Sequence, residues 1–142
     1  MSYRYLDHVA DMGLEGEGET IEKAFEEAAK AMFGLMAEVD KLKPVEIVEL
    51  KIEGEDLKDL FYKWMSELLA ESSTKNLVFS GFCVDSVDKT GEGSYFLQGR
   101  AKGEDLNTSD ADLFGEVKGV TFMGLAVEQK KGKWRARCVV DI

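Results

Sequence analysis

The sequence predicts an α+β fold: a single domain over residues 1–142, with two helices packed on one face of a mainly antiparallel β-sheet. Three observations carry that prediction. Two stretches repeat apolar residues at the helical period, each opened by a side chain suited to cap a helix. The segments between and after them are rich in β-formers, alternate apolar with polar residues in places, and are broken by glycine-bearing turns. Beyond the second helix the chain reads as strands alone. At 142 residues it is long enough to bury a core without disulfide staples.

Residues 3 to 8 form a short strand, and Met12 to Gly18 alternates weakly as a second, with Ala10 and Asp11 at the bend between them. Thr20 is placed to cap a helix over Ile21 to Ala37. Ile21, Ala24, Phe25, Ala28, Met32, Leu35 and Met36 make its apolar stripe, and Glu22, Lys23, Glu26, Glu27 and Lys30 its solvent face. After Pro44, Val48, Leu50 and Ile52 alternate with charged residues. Val45 and Ile47 carry the opposite phase, so a bulge or register change is expected there. Asp56 caps the second helix, whose stripe runs from Leu57 through Trp64 to Leu69 before Ser72 to Asn76 stops it; a stripe this heavy marks core.

Leu77 to Val87 and Tyr95 to Lys102 are strands about a turn at Lys89 to Ser94. Gly103 to Asp112 is acidic and polar, an exposed loop by composition. Gly115 to Gln129 is a long β run, Lys130 to Lys133 a tight turn, and Trp134 to Ile142 the closing strand. In that strand Trp134, Ala136, Cys138, Val140 and Ile142 share one face, and Arg135, Arg137, Val139 and Asp141 the other.

Composition narrows the partners. Eighteen basic residues against 28 acidic ones leave a net charge of −10. Direct binding of DNA or RNA, which rests on neutralising phosphates, is not expected, so any RNA would be held by a basic partner. Cys83 and Cys138 have no metal-ligand spacing and read as two reduced core thiols. No apolar signal region or membrane-length run is present, which predicts a cytoplasmic protein with no membrane contact.

No nucleophile elbow, phosphate-binding glycine loop or helical zinc motif occurs, and His8 is the one histidine. What remains is acidic: Asp11 near one end, Asp141 and the Ile142 carboxylate at the other. Joined in one pocket, these oxygens are hard ligands for Ca²⁺, Mg²⁺ or Mn²⁺, with His8 as a further ligand or a hydrogen-bond partner behind them. They would need a cation, because neighbouring carboxylates repel. The residues alone leave plainer alternatives open. Asp11 also suits a turn, Asp141 a solvated strand end, and His8 a structural hydrogen bond. Nothing local in the sequence makes the two ends meet.

Four segments, in order and spanning nearly the whole chain, resemble the archease family. His8-Val9-Ala10-Asp11-Met12-Gly13 is close to its H-T-A-D-x-G opening, and Glu55 to Trp64 is similar to its E-D-L-x-x-L-L-Y-x-W/F helix. Glu116 to Thr121 resembles its E-V-K-A-V/I-T run, and Trp134 to Ile142 its W-x-A-x-x-x-x-D-I/V/L terminus. The resemblance implies a protein cofactor rather than an enzyme. It would be an activator of the RtcB-type RNA ligase of tRNA splicing, promoting guanylylation and multiple turnover; GTP and the tRNA halves belong to the ligase. A chaperone role toward RNA-modifying enzymes is the alternative attached to the family. The implied metal site is Asp11, Asp141 and Ile142, and the family's E-V-K lysine falls on Lys118, as a phosphate or partner contact or a plain solvated lysine. The chain departs from the pattern at Val9 in place of threonine, at Phe122-Met123 in place of tyrosine and histidine, and in having no histidine between Asp105 and Asp112.

Overall fold

A computed structural model describes residues 1–7, 11–109 and 111–142. Among them the order is β1 (Ser2–Asp7), β2 (Asp11–Gly18), α1 (Ile21–Gly34), a 3₁₀ turn (Val39–Lys41), β3 (Glu46–Gly54), α2 (Leu57–Lys75), β4 (Leu77–Lys89), β5 (Tyr95–Asp105), β6 (Gly119–Lys130) and β7 (Lys133–Asp141). The α+β class, the two helices and the antiparallel pairing agree with the sequence. The strands divide into two sheets, however: a four-stranded one ordered β1-β2-β7-β6 and a three-stranded one ordered β3-β5-β4. Each sheet turns one face to the helices, and both helices touch both sheets. The chain leaves the first sheet after β2 through α1 and returns to it only with β6.

Both helices start where a side chain satisfies their free N–H groups. Thr20 Oγ1 accepts from the Lys23 N–H at 3.2 Å. Asp56 Oδ1 accepts from Asp59 N–H at 2.8 Å, while the Asp59 carboxylate reaches back to the Glu55 N–H at 2.9 Å. That reciprocal arrangement has the logic of a capping box. The first helix ends at Gly34, short of the expected Ala37, because Leu35 N–H turns back to the Met32 and Phe33 carbonyls. The second runs on to Lys75, and Asn76 closes it in the left-handed conformation at φ 56°.

The core lies between the sheets, around Phe25, Phe33, Phe61, Trp64 and Phe79, all fully buried. Trp64 also places its indole N–H on the Phe25 carbonyl at 3.1 Å, tying α2 to α1. Glycine lets α1 approach β2: a Cβ on Gly16 would run into the Ala24 carbonyl and the Ala28 backbone.

Several local expectations are corrected. No bulge interrupts the β3–β5 pairing; Val45 and Ile47 simply face outward, Ile47 on the edge strand itself and Val45 just before it. The acidic segment is not loop from Gly103: β5 continues to Asp105, Gly103 lies against the Val78 backbone, and the buried Glu104 carboxylate accepts from Lys43 N–H at 3.1 Å. The last long β run begins at Gly119 and shifts register between Thr121 and Ala126, where Gly124 has φ 66°. Cys138 is a core thiol, with burial pushing its pKa up to about 12. Cys83 is not. It is half-buried on the outer face of the small sheet, 3.3 Å from Asp85 and 3.5 Å from the Arg100 guanidinium.

Candidate metal-binding end of the four-stranded sheet

Strands β2 and β7 run antiparallel side by side and pair Glu17 with Arg135, Glu15 with Arg137, Gly13 with Val139, and Asp11 with Asp141. Because α1 lies on the Gly16 and Gly18 side of β2, the pleat sends Asp11, Glu15 and Glu17 to the opposite, outer face. Their partners on β7 share that face. Two of the pairs are complementary. Glu15, 3% exposed, is held by Arg137 Nη2 at 2.8 Å and by Arg4 Nε of β1 at 2.7 Å. Glu17 is held by Arg135 Nε at 3.0 Å and Lys133 Nζ at 3.5 Å, and the Arg135 hydrogen bond above all holds its carboxyl below the usual range.

At the end of the ladder the pattern inverts. Asp11 faces Asp141, a carboxylate opposite a carboxylate, where cross-strand side chains stand roughly 4.5–5.5 Å apart at Cβ. Like charges directly opposite are unfavourable in a sheet unless something positive sits between them. On the other side of β7, Asp141 is opposite Gly119, which adds no side chain. The Lys118 N–H donates to the Asp141 carbonyl at 2.7 Å, so Lys118 is fixed by its main chain next to the acidic pair. Ile142 follows directly and is 47% exposed.

The two ends of the chain that the sequence could not join are therefore neighbours in one sheet. His8 lies outside the described residues, as does the expected bend at Ala10. Asp11 is the first residue of β2 rather than part of that bend. Among the described residues no three Asp, Glu, His or Cys side chains gather in ligand arrangement. The Asp11–Asp141 pair supplies two carboxylates, and the third donor of the expected set is a main-chain carboxylate. Hard, anionic oxygen donors facing one another fit a divalent cation.

Sequence reasoning missed what frames this end. The β6 irregularity between Thr121 and Ala126 brings Gly124 against Val139, which is 2% exposed although it points to the outer face. It also lays Phe122 on Tyr62 of α2, rings stacked at 4.2 Å and 16°. A glycine inside an apolar β run was the available signal. Beside it, two cavities of about 320 and 360 Å³ line up between α2 and residues 113–120, sharing Leu69, Ser73, Glu116 and Val117. Lys118 lines the second. No helix among the described residues is long and apolar enough to cross a membrane.

Comparison with known proteins agrees with this architecture. The model of the Archease protein family matches residues 3–142. Protein archease of Pyrococcus abyssi is 37% identical over 141 residues, covering 99% of this chain and 98% of its own. That of Methanopyrus kandleri is 34% identical over 142 residues, end to end in both. The solution structure of Methanobacterium thermoautotrophicum protein 1598 superposes with a TM-score of 0.87 at 32% identity, covering 99% of each chain. A Thermotoga maritima archease, described as a possible chaperone, shares the fold at a TM-score of 0.55 and 18% identity, covering 96% of this chain and 94% of its own. With nearly every residue inside the family model and a third of the sequence shared with full-length relatives, this chain belongs to the archease family.

Proposed function

We propose that this protein is an accessory activator of an RtcB-type RNA ligase, and that it acts through a divalent cation held by Asp11, Asp141 and the Ile142 carboxylate. The observation that carries the reading is the direct opposition of Asp11 and Asp141 at the end of a ladder whose other charged pairs are complementary. When bound, such a cation supplies positive charge that orients phosphate oxygens and neutralises charge at the partner's nucleotide site. The chain's own residues do the positioning. Strands β2 and β7 fix the two carboxylates, Gly119 leaves the approach open, and Lys118 offers a cationic side chain beside them for a phosphate or a partner carboxylate. His8 is assigned a hydrogen bond behind the ligands. The protein does not act as an enzyme in this reading: GTP is consumed by the ligase, and tRNA halves are met only through it. An acidic activator suits a basic, RNA-binding partner.

Ligase guanylylation, followed with and without this protein, tests the proposal. Asp11→Ala and Asp141→Ala are expected to abolish stimulation with the fold intact, and an extension beyond Ile142 to weaken it more than one before Met1. Full stimulation by both alanine variants would end the metal reading.

A second reading has its own support. Leu113, Phe114, Phe122 and Met123 are large apolar residues exposed on one flank, a surface a general chaperone would use. Protection of unrelated proteins from aggregation, unchanged by chelator, would favour it.

A further inference from the structure

We infer that the groove between α2 and residues 113–120, continued by Phe122 and Met123, is the docking site for a basic, amphipathic segment of the protein's macromolecular partner. The inference rests on the activator reading and adds where the partner is gripped.

The groove has an apolar floor and exposed apolar shoulders. Met36, Leu69, Val78, Leu106 and Val117 line its cavities. Leu113, Phe114, Phe122 and Met123 remain 56%, 59%, 68% and 61% exposed along its margin. Aromatic residues and methionine are the side chains most enriched at the centres of protein interfaces. Their exposure here is built in. Phe114 N–H bonds the Met36 carbonyl at 2.8 Å, and Leu113 forms a backbone bridge to Ala37, so the main chain that carries both side chains is fixed at the margin. Phe122 is pinned on Tyr62 by the irregularity in β6.

Charge selects the occupant. From Gly103 to Val117 the chain carries Glu104, Asp105, Asp110, Asp112 and Glu116 and no lysine or arginine. Glu104 is spent inside on the Lys43 N–H, but Glu116 is exposed and lines both cavities, Asp112 is exposed one residue before the lining Leu113, and Glu67 is exposed on α2 one residue from the lining Ser66. An apolar trough with Glu116 in its lining and Asp112 and Glu67 beside it, and Lys118 at the end toward Asp141, fits a helix or strand with an apolar face and lysine or arginine at its borders. The groove also ends at the metal-binding end of the sheet. Lys118 lines it, and the next contact along the main chain is the Asp141 carbonyl. A segment seated there would hold the Asp11–Asp141 pair at a fixed distance from the partner's own site.

The test combines crosslinking with binding. Ser73, exposed and shared by both cavities, is replaced by a photo-crosslinking residue, and the full chain is irradiated with an RtcB-type ligase while stimulation is measured in parallel. The expected product joins residue 73 to a ligase peptide that carries basic and apolar residues together. Met123→Asp, at a side chain 61% exposed, should weaken ligase binding about tenfold or more while leaving Ca²⁺ binding and the thermal midpoint unchanged. Glu116→Lys should weaken binding and flatten its salt dependence. A crosslink to a second copy of this chain, or to a ligase peptide without basic residues, would overturn the inference. So would stimulation that persists with no crosslink at residue 73. Absence of both stimulation and ligase binding in the unmutated chain would overturn the activator reading as well.

Discussion

Asp141 is a residue whose cost and proposed use are the same feature. Its side chain stands opposite Asp11 across β2 and β7, and without a cation the two carboxylates repel. A like-charged cross-strand pair costs on the order of 0.2–1 kcal/mol. Asp141→Asn removes that repulsion and keeps the side chain's size. In the presence of chelator the variant is therefore expected to melt a few degrees above the unmutated protein, since ~1 kcal/mol moves the midpoint of a domain this size by a few degrees. On the proposed metal reading, millimolar Ca²⁺ or Mn²⁺ should reverse the order, because binding to the folded state alone stabilises it and the variant lacks one of the proposed ligands. Differential scanning calorimetry with and without the ion reads both arms. A variant less stable than the unmutated protein in chelator, or equally stabilised by the ion, would remove the opposed pair from the argument.

At the scale of elements, legibility depended on whether the physics was local. The stripe from Ile21 to Met32 and the alternation from Trp134 to Val140 face inward as read, because burial of every third or fourth residue, or of every second, leaves its period in the sequence. Caps at Thr20 and Asp56 were legible for the same reason. Strand β2 was harder, since Gly16 and Gly18 occupy its inward face and carry no apolar signal. Their role is to admit α1. Gly16→Ala would place a methyl against the Ala24 carbonyl and the Ala28 backbone, which cannot withdraw as a flexible side chain can. Overpacking of this kind costs about 1–3 kcal/mol or more. Urea unfolding of the variant should show an unfolding free energy lowered by that amount, and Gly115→Ala, where a Cβ meets nothing within 4 Å, should not. Glu104 misled for the opposite reason. A glutamate in a polar run reads as solvated, and only the distant Lys43 N–H makes its burial tolerable.

On the scale of the whole molecule, the candidate site exists because the second strand, β2, pairs with the last, β7. Residues 11 and 141 are brought together by pairings separated by almost the full length of the chain, and such pairing leaves no periodic trace in either strand. What holds that seam is partly ionic. Glu17 and Glu15 of β2 reach Arg135 and Arg137 of β7, and Arg4 of β1 joins from the other side. The Arg135 hydrogen bond, with the neighbouring charges of Lys133 and Arg135, lowers the Glu17 pKa from its ordinary 4.5. Asp59 is lowered too, mainly by the hydrogen bond from the Glu55 N–H. A carboxylate whose folded pKa is depressed contributes stability that is fully present above its unfolded value and lost as pH falls through its folded one. The seam should therefore loosen on acidification below about pH 4.5. Protonation also relieves the net charge of −10, which acts the other way, but that repulsion is spread over the surface and screened at 0.15 M salt, where the Debye length is about 8 Å. Urea midpoints measured at 0.15 M salt should fall between pH 6 and pH 3. Glu17→Gln should start lower at pH 6 and lose less on the way down, because the group that titrates is gone. A midpoint that falls equally in the variant and the unmutated chain would mean that the seam between the two ends is not held by this ion pair.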